Sequence, residues 1–268
     1  MIEALTLEFL GEAVILGLVE GVTEFLPVSS TGHLIVVGQW LGQVGERANT
    51  FHIFIQLGAI LAIVWLYRVR LAQVVLAGGR EGERRHFFQN LIIGFLPAAS
   101  LGFVTHEWIK RELFNPTVVA IALIVGGIVI LLIERWPPRV RVDDLRLLPP
   151  RTALGIGMAQ VLALVPGTSR SGATILGGYA LGLSRTAATE FSFFLAIPVM
   201  IAATLFDLLD SWSLLTPGDI PFFAVGFLVS FLSALVVVKA LLTYVSRHSF
   251  AAFAWYRIAF GMFLLLIT

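Results

Sequence analysis

The 268-residue sequence contains no cysteine and little charge: 13% of its residues are Asp, Glu, Lys or Arg. The missing thiol excludes disulfides, thiolate nucleophiles and cysteine-type zinc centres. A soluble domain carries about 25% charged residues, so this chain has too few to face water on all sides. A net charge of +1 excludes nucleic acid as a partner recognised by bulk electrostatics. The start, Met1-Ile2-Glu3-Ala4-Leu5-Thr6-Leu7-Glu8, lacks a basic stretch, so no cleaved signal peptide is expected and the first apolar segment is expected to stay. What is abundant is apolar: 58% of the residues, with 21 Phe, more than one soluble core of this length can hold. Lipid is therefore the expected solvent for much of the surface.

Six stretches are long and apolar enough to span, at about 51–69, 88–106, 116–135, 187–209, 220–243 and 250–267. Crossing roughly 30 Å of hydrocarbon takes about 20 helical residues. Two further regions, 9–42 and 152–183, are apolar but interrupted. Pro27-Val28-Ser29-Ser30-Thr31-Gly32 breaks the first, and Pro166-Gly167-Thr168-Ser169-Arg170-Ser171-Gly172 breaks the second. Proline stops a helix and glycine lets the chain turn, so each region is predicted as two half-helices around a loop. Such backbone persists at membrane depth only when buried in protein or lining a wet cavity.

Arginine placement orients the segments. Arg68, Arg70, Arg80, Arg84 and Arg85 lie in the 68–88 connection, and Arg135, Arg139, Arg141, Arg146 and Arg151 in the 135–151 connection. The 210–219 connection holds Asp210 and Asp219 without Lys or Arg. The positive-inside rule places the first two in the cytoplasm and the third outside. Lys239 and Arg247 agree, while Lys110 and Arg111 dissent and are only partly balanced by Glu107 and Glu112. Region 9–42 then enters and leaves from outside, region 152–183 from inside, and three spans follow each. The predicted fold is an all-α polytopic membrane protein, a single domain over 1–268. It has six transmembrane helices and two re-entrant helix-loop-helix pairs, in an inverted-topology repeat of halves 9–135 and 152–267. Gly17 and Gly155, Pro27 and Pro166, and Phe51 and Phe191 stand 138, 139 and 140 positions apart, a weak echo of that repeat. Repeats of this kind bring broken helices together near the midplane. If each broken region crosses fully instead, the orientation changes.

The first broken region carries EGVTEFLPVSSTGH over 20–33. Glu20 and Glu24 are four apart and share a helical face. A charge facing lipid costs about 2.5–3.5 kcal/mol, so the pair needs a divalent cation, an arginine or a wet cavity. Oxygen ligands with water suit Mg²⁺ or Ca²⁺. The bland alternative is an interfacial first helix with its acids in water. Ser29, Ser30 and Thr31 precede Gly32, and hydroxyls with free amides at a helix start favour an anion. A single serine there would be a cap; His33, beside hydroxyls and carboxylates, is an acid–base candidate. In the second loop, Arg170 offers a planar fork matched to phosphate oxygens, to be paired with Glu20 or Glu24 when no ligand is present. Gly167, Thr168, Ser169, Ser171 and Gly172 add donors and close backbone approach. The bland alternative is a short cytoplasmic loop with a topogenic arginine. Gln56 and Gln160 are read as supporting polar groups, and Glu190 as favoured by a helix start. His52, His86, His106 and His248 fall at segment ends, and Trp65, Tyr67, Trp136 and Trp212 suit the aromatic belts. Together these parts suit an anionic lipid headgroup whose phosphoryl centre needs neutralisation, a nucleophile and a proton donor.

The two motifs, EGVTEFLPVSSTGH at 20–33 and PGTSRSGATI at 166–175, resemble the signature regions of the bacterial undecaprenyl-diphosphate phosphatase family, also called the bacitracin-resistance family. TFHIFIQLGAI at 50–60, AATEFSFFLA at 187–196 and GDIPFFAVGF at 218–227 are also family-like, and the likeness covers nearly the whole chain. The resemblance implies hydrolysis of undecaprenyl diphosphate to the monophosphate and inorganic phosphate, recycling the carrier lipid for cell-wall synthesis and conferring bacitracin resistance. It assigns the family's carboxylate pair to Glu20 and Glu24, its serine to Ser30, its histidine to His33 and its arginine to Arg170. It also implies a divalent cation and a site opening to the outer face of the inner membrane. Ser30 would attack phosphorus or orient a water, and His33 would handle the proton. Expected partners are undecaprenyl diphosphate and membrane lipid, with a homodimer left open. The rival from another class is a lipid-phosphate flippase or transporter, whose architecture also uses broken helices. A structural membrane subunit does not account for two costly polar loops.

Overall fold

The computed structural model describes residues 7–75, 81–211 and 214–267. Residues 1–6, Arg80 and Trp212, and the side chains of Glu8, Lys110 and Asp210, entered the sequence reading and lie outside the described residues. The described chain is all-helical, with one isolated bridge between Val142 and Leu183. Helices α1 (Leu7–Thr23) and α2 (Ser30–Trp40) come first, then α3 (Glu46–Leu66) and the short α4 (Arg68–Val75). Next are α5 (Glu81–Glu112), α6 (Pro116–Arg135), α7 (Pro150–Val161) and α8 (Arg170–Ala180). Helices α9 (Arg185–Asp210), α10 (Ile220–Val245) and α11 (Ala251–Ile267) complete the chain.

Five segments are long and apolar enough to cross a membrane: α3, 84–109 within α5, α6, 185–209 within α9, and 217–245 ending in α10. This is a helical multi-pass membrane protein. The sixth expected span, 250–267, corresponds to α11, which is apolar but only 17 residues long, about 25 Å at 1.5 Å per residue. Helix α5 exceeds the expected 88–106 at both ends. Its polar flanks, Arg84 and Arg85 before and Glu107 to Glu112 after, read as connections but continue the helix. Helix α6 matches 116–135 because its ends are marked: Asn115 caps Val118 N–H at 3.0 Å, Pro116 opens the helix, and Arg135 closes it. One face of α6, with Ile121, Val125, Ile128 and Leu132 at helical spacing, is exposed and apolar, as a lipid-facing surface requires. The opposite face, with Leu123, Gly127 and Ile130, is buried where α6 packs on α11.

Helix α1 packs on α10, α5 on α7, α3 on both α9 and α10, and α8 on α9. Glycine is required at several of these approaches, two of which show it plainly. A Cβ at Gly17 would stand 2.5 Å from the Gly226 carbonyl oxygen, and one at Gly157 would stand 2.5 Å from that of Gly94. Close backbone contact through small residues is the ordinary device of helix packing in lipid.

Two hairpins break the pattern. In the first, α1 and α2 diverge from a tip at 24–29, and Gln43 beyond α2 donates to Glu12 near the start of α1 at 2.6 Å. In the second, α7 and α8 diverge from a tip at 165–169, and Gly182 beyond α8 accepts from Arg141 N–H at 2.7 Å, ahead of α7. Ion pairs hold the ends of the longer helices. Glu134 at the end of α6 binds Arg185 at 2.5 Å and the Phe250 amide at 2.7 Å. Glu190 binds Arg70 at 2.9 Å and Tyr67 at 3.2 Å, a partnership beyond the helix-start effect expected for it. Arg47 and Asp219 pair at the beginning of α3 and α10.

Candidate active site

Each hairpin restarts its helix at a strained serine. Ser29 and Ser169 are the only non-glycine residues with positive φ among those described, at 69° and 73°. That conformation costs of order 1–3 kcal/mol and clusters at functional sites. Ser29 is the N-cap of α2 and Ser169 the N-cap of α8, so Ser30 and Arg170 are the first residues of their half-helices. The helix dipole and free amides there favour an anion. Ser169 Oγ accepts from Gly172 N–H at 3.0 Å and meets Ser171 Oγ at 3.0 Å. Thr174 Oγ1 bonds the Arg170 carbonyl at 2.9 Å and Ser192 Oγ at 2.6 Å, tying the start of α8 to α9.

The two tips meet through Glu24. Its Oε2 accepts from Ser30 Oγ at 2.5 Å, and its Oε1 accepts from Arg170 Nη2 at 2.9 Å. Arg170 also donates to the Ser192 carbonyl at 3.1 Å and lies over the Phe25 ring at 5.9 Å. Ser171 Oγ donates to the Leu26 carbonyl at 2.8 Å, a second bond between the tips. All of these side chains are buried or nearly so. Of the two carboxylates offered to Arg170 by the sequence, the structure selects Glu24.

Glu20 lies beside Glu24, fully buried, and among the described residues no group other than the Glu24 carboxyl reaches its oxygens. Two adjacent buried carboxylates beside one arginine cannot both stay ionised at low cost, so the pair calls for a shared proton or a further cation. A divalent cation with oxygen ligands fits there. No cluster of three His, Cys, Asp or Glu occurs among the described residues, so phosphate oxygens and water would complete the shell.

His33 stands one turn into α2, and both ring nitrogens are engaged away from Ser30. Its Nδ1–H donates to the Ser29 carbonyl at 2.8 Å, and Nε2 meets Tyr256 Oη at 2.5 Å. A carbonyl can only accept, so in the neutral ring Nε2 carries the lone pair and Tyr256 donates to it. The ring stacks on Phe260 at 4.3 Å. Tyr256 and the adjacent Arg257 bring α11 into the site, where the sequence reading assigned nothing. The signal was present: a lone arginine inside an apolar stretch is expensive and needs partners.

A family model described as "Bacitracin resistance protein BacA" matches residues 13–263. The chain belongs to the BacA family. Among similar proteins, three carry names of undecaprenyl-diphosphatases. One from Aromatoleum aromaticum is 55% identical over 256 residues, covering 94% of this chain and 92% of the relative. One from Ectopseudomonas mendocina is 53% identical, covering 95% and 92%. An "Undecaprenyl-diphosphatase 1" from Stutzerimonas stutzeri is 52% identical, also covering 95% and 92%.

In this member of the BacA family several of the remaining sequence candidates line one of two cavities. Thr31, Gln56 and His52 line a polar cavity of about 540 Å³ that opens where α3 and α6 begin. Thr168 and Gly172 line an apolar groove of about 520 Å³ between α6 and α8. Gly167 adopts φ 91° and lies against α6, where a Cβ would stand 2.5 Å from the Val119 carbonyl oxygen. The Gln160 amide, on α7, is buried with neither end hydrogen-bonded. His52 and His106 line the polar cavity.

Proposed function

We propose that this protein hydrolyses undecaprenyl diphosphate to undecaprenyl phosphate and inorganic phosphate, using both hairpin tips. The observation that carries this reading is Glu24 bound at once to Ser30 and to Arg170, a hydroxyl, a base and a phosphate-binding fork converging in a buried place. Membership of the BacA family and the names of its relatives supply the substrate.

Arg170 and the amides opening α2 and α8 bind the terminal phosphate and compensate the charge that develops on it. Ser30 Oγ attacks the terminal phosphorus while Glu24 takes its proton. The Oγ–P bond forms as the bond from phosphorus to the bridging oxygen breaks, and undecaprenyl phosphate leaves with the electron pair. Water then attacks the phosphoserine phosphorus, the P–Oγ bond breaks and Glu24 returns its proton to Ser30 Oγ, while the water's proton is taken by the Tyr256 hydroxyl as that hydroxyl passes its own to His33 Nε2. Glu20 and Glu24 would hold Mg²⁺ or Ca²⁺, which when bound neutralises diphosphate charge. The apolar groove beside Gly172 suits the isoprenoid chain, and the polar cavity at Thr31 suits departure of inorganic phosphate.

We also read the two hairpins as re-entrant from opposite faces and the halves as an inverted repeat in the bacterial inner membrane, with the site opening to the periplasmic side. Three facts support this. Each hairpin closes on its own face, through Gln43–Glu12 and through Arg141–Gly182. The strained serines, 29 and 169, are 140 positions apart. Arginines crowd the ends where α6 stops and α7 begins, and the polar cavity opens at the opposite ends. Phosphate release from undecaprenyl diphosphate by purified protein in detergent tests the activity. A flippase without hydrolysis releases none, because translocation breaks no P–O bond.

A further inference from the structure

Among the described residues Arg257 has the largest fully buried side chain, 1% exposed, and none of their carboxylates meets it. All five of its donors go to backbone carbonyls. Nε reaches Leu123 O at 3.3 Å, and Nη2 reaches Ala122 O and Gly167 O, both at 3.1 Å. Nη1 alone joins the two tips, donating to Pro27 O at 3.1 Å and Thr168 O at 2.9 Å. Carbonyls beside a helix break have lost their intrahelical donors, and inside a membrane protein something must replace them. Helix α6 makes room for the replacement: a Cβ at Gly126 would collide with the guanidinium.

We propose that Arg257 is a positioning residue that fixes the distance between the two halves of the active site. This rests on the phosphatase reading above. Ser30 follows Pro27 by three residues and Arg170 follows Thr168 by two, so the carbonyls that Arg257 grips set where nucleophile and phosphate clamp stand. Its planar fork does this from one rigid plane. A lysine has three donors on a single nitrogen and cannot span α6 and both tips together. Arg257 does not touch the reacting groups; it acts through the loops.

The test compares Arg257→Lys and Gly126→Ala with the parent protein, full length and purified, with rates normalised to folded protein. Because the chain has no cysteine, Trp40→Cys and Leu181→Cys can carry a pair of spin labels at the exposed far ends of α2 and α8. In Arg257→Lys, kcat for phosphate release is expected to fall about 10²-fold, as a misplacement near 1 Å would cause. KM is expected to change little, and the label-to-label distance distribution to broaden. Gly126→Ala, which keeps the arginine and displaces it, is expected to shift both readouts in the same direction and decides the matter if Arg257→Lys does not fold. Parental kcat with a parental distance distribution overturns the proposal. So does a loss expressed in KM alone, which would place Arg257 on the substrate. The distance measurement needs no substrate. If the parent protein releases no phosphate, the phosphatase reading fails while the loop-positioning inference is still decided by the labels.

Discussion

Glu24 and Arg170, 146 positions apart, form a buried 2.9 Å ion pair that joins the tip of the α1–α2 hairpin to the first residue of α8. The same carboxylate accepts the Ser30 hydroxyl on its other oxygen. One side chain therefore links the nucleophile candidate to the phosphate clamp, and most of the expected behaviour follows from that link.

Arg170→Ala is expected to lower kcat/KM by roughly 10²–10³-fold, the effect of losing one donor to a developing phosphoryl charge. Arg170→Lys restores little, because a point charge replaces a fork that also holds the Ser192 carbonyl. Steady-state phosphate release checks both, and a normal rate in Arg170→Ala contradicts the site.

Ser30→Ala removes the hydroxyl next to Glu24. Turnover is expected to fall by at least about 10²-fold, since the covalent route is lost. Acid quenching during turnover of a substrate labelled on its terminal phosphate is expected to trap label on the parent protein and none on Ser30→Ala. Near-normal turnover in Ser30→Ala would instead assign the attack to water.

The loops were the most legible part of the sequence, and the reason is chemical. Proline, glycine and hydroxyls inside an apolar run leave few structural options, and both breaks fall where Pro27 and Pro166 place them. Helix α6 was legible to the residue because Asn115, Pro116 and Arg135 mark its ends. The ends of α5 were not, because charged residues at the end of a long helix look like a connection. The choice between Glu20 and Glu24 as the partner of Arg170 was also hidden. Glu20 lies on α1 and Glu24 one turn further, at the start of the tip, and only the packing of the second hairpin decides. Tyr256 and Arg257 were missed because 250–267 reads as an unremarkable apolar span, although one arginine in it needed explaining.

Tyr256→Phe keeps the stacked ring and deletes the donor to His33 Nε2. One hydrogen bond of about 0.5–1.5 kcal/mol translates to a rate loss of up to roughly tenfold. Because His33 acts in the second chemical step, phosphoenzyme is expected to accumulate in Tyr256→Phe. An unchanged rate and no accumulation would leave His33 working without the tyrosine.

Glu20→Gln removes one of the two carboxylates while Arg170 still compensates Glu24. The divalent-cation concentration needed for half-maximal phosphate release is expected to rise at least about tenfold, the scale on which lost ligation weakens a metal site. Chelator treatment of the parent protein is expected to abolish release, and re-addition of Mg²⁺ or Ca²⁺ to restore it. Full activity in chelator would remove the cation from the account.

Gly17→Ala and Gly157→Ala place a Cβ against backbone carbonyls that cannot move aside. Overpacking of this kind costs about 1–3 kcal/mol, so both variants are expected to unfold at lower temperature in detergent. An unchanged unfolding temperature in both would mean that α1–α10 and α5–α7 are not held at their present spacing.

The most direct measurement is inorganic phosphate released from undecaprenyl diphosphate by the purified protein in detergent with a divalent cation, set beside Glu24→Gln. The expected result is multiple turnovers by the parent protein and a loss of at least about 10²-fold in the variant, since Glu24 serves both as the base for Ser30 and as the partner of Arg170. No release by the parent protein, or an equal rate in Glu24→Gln, would contradict a phosphatase site built where the two hairpin tips meet.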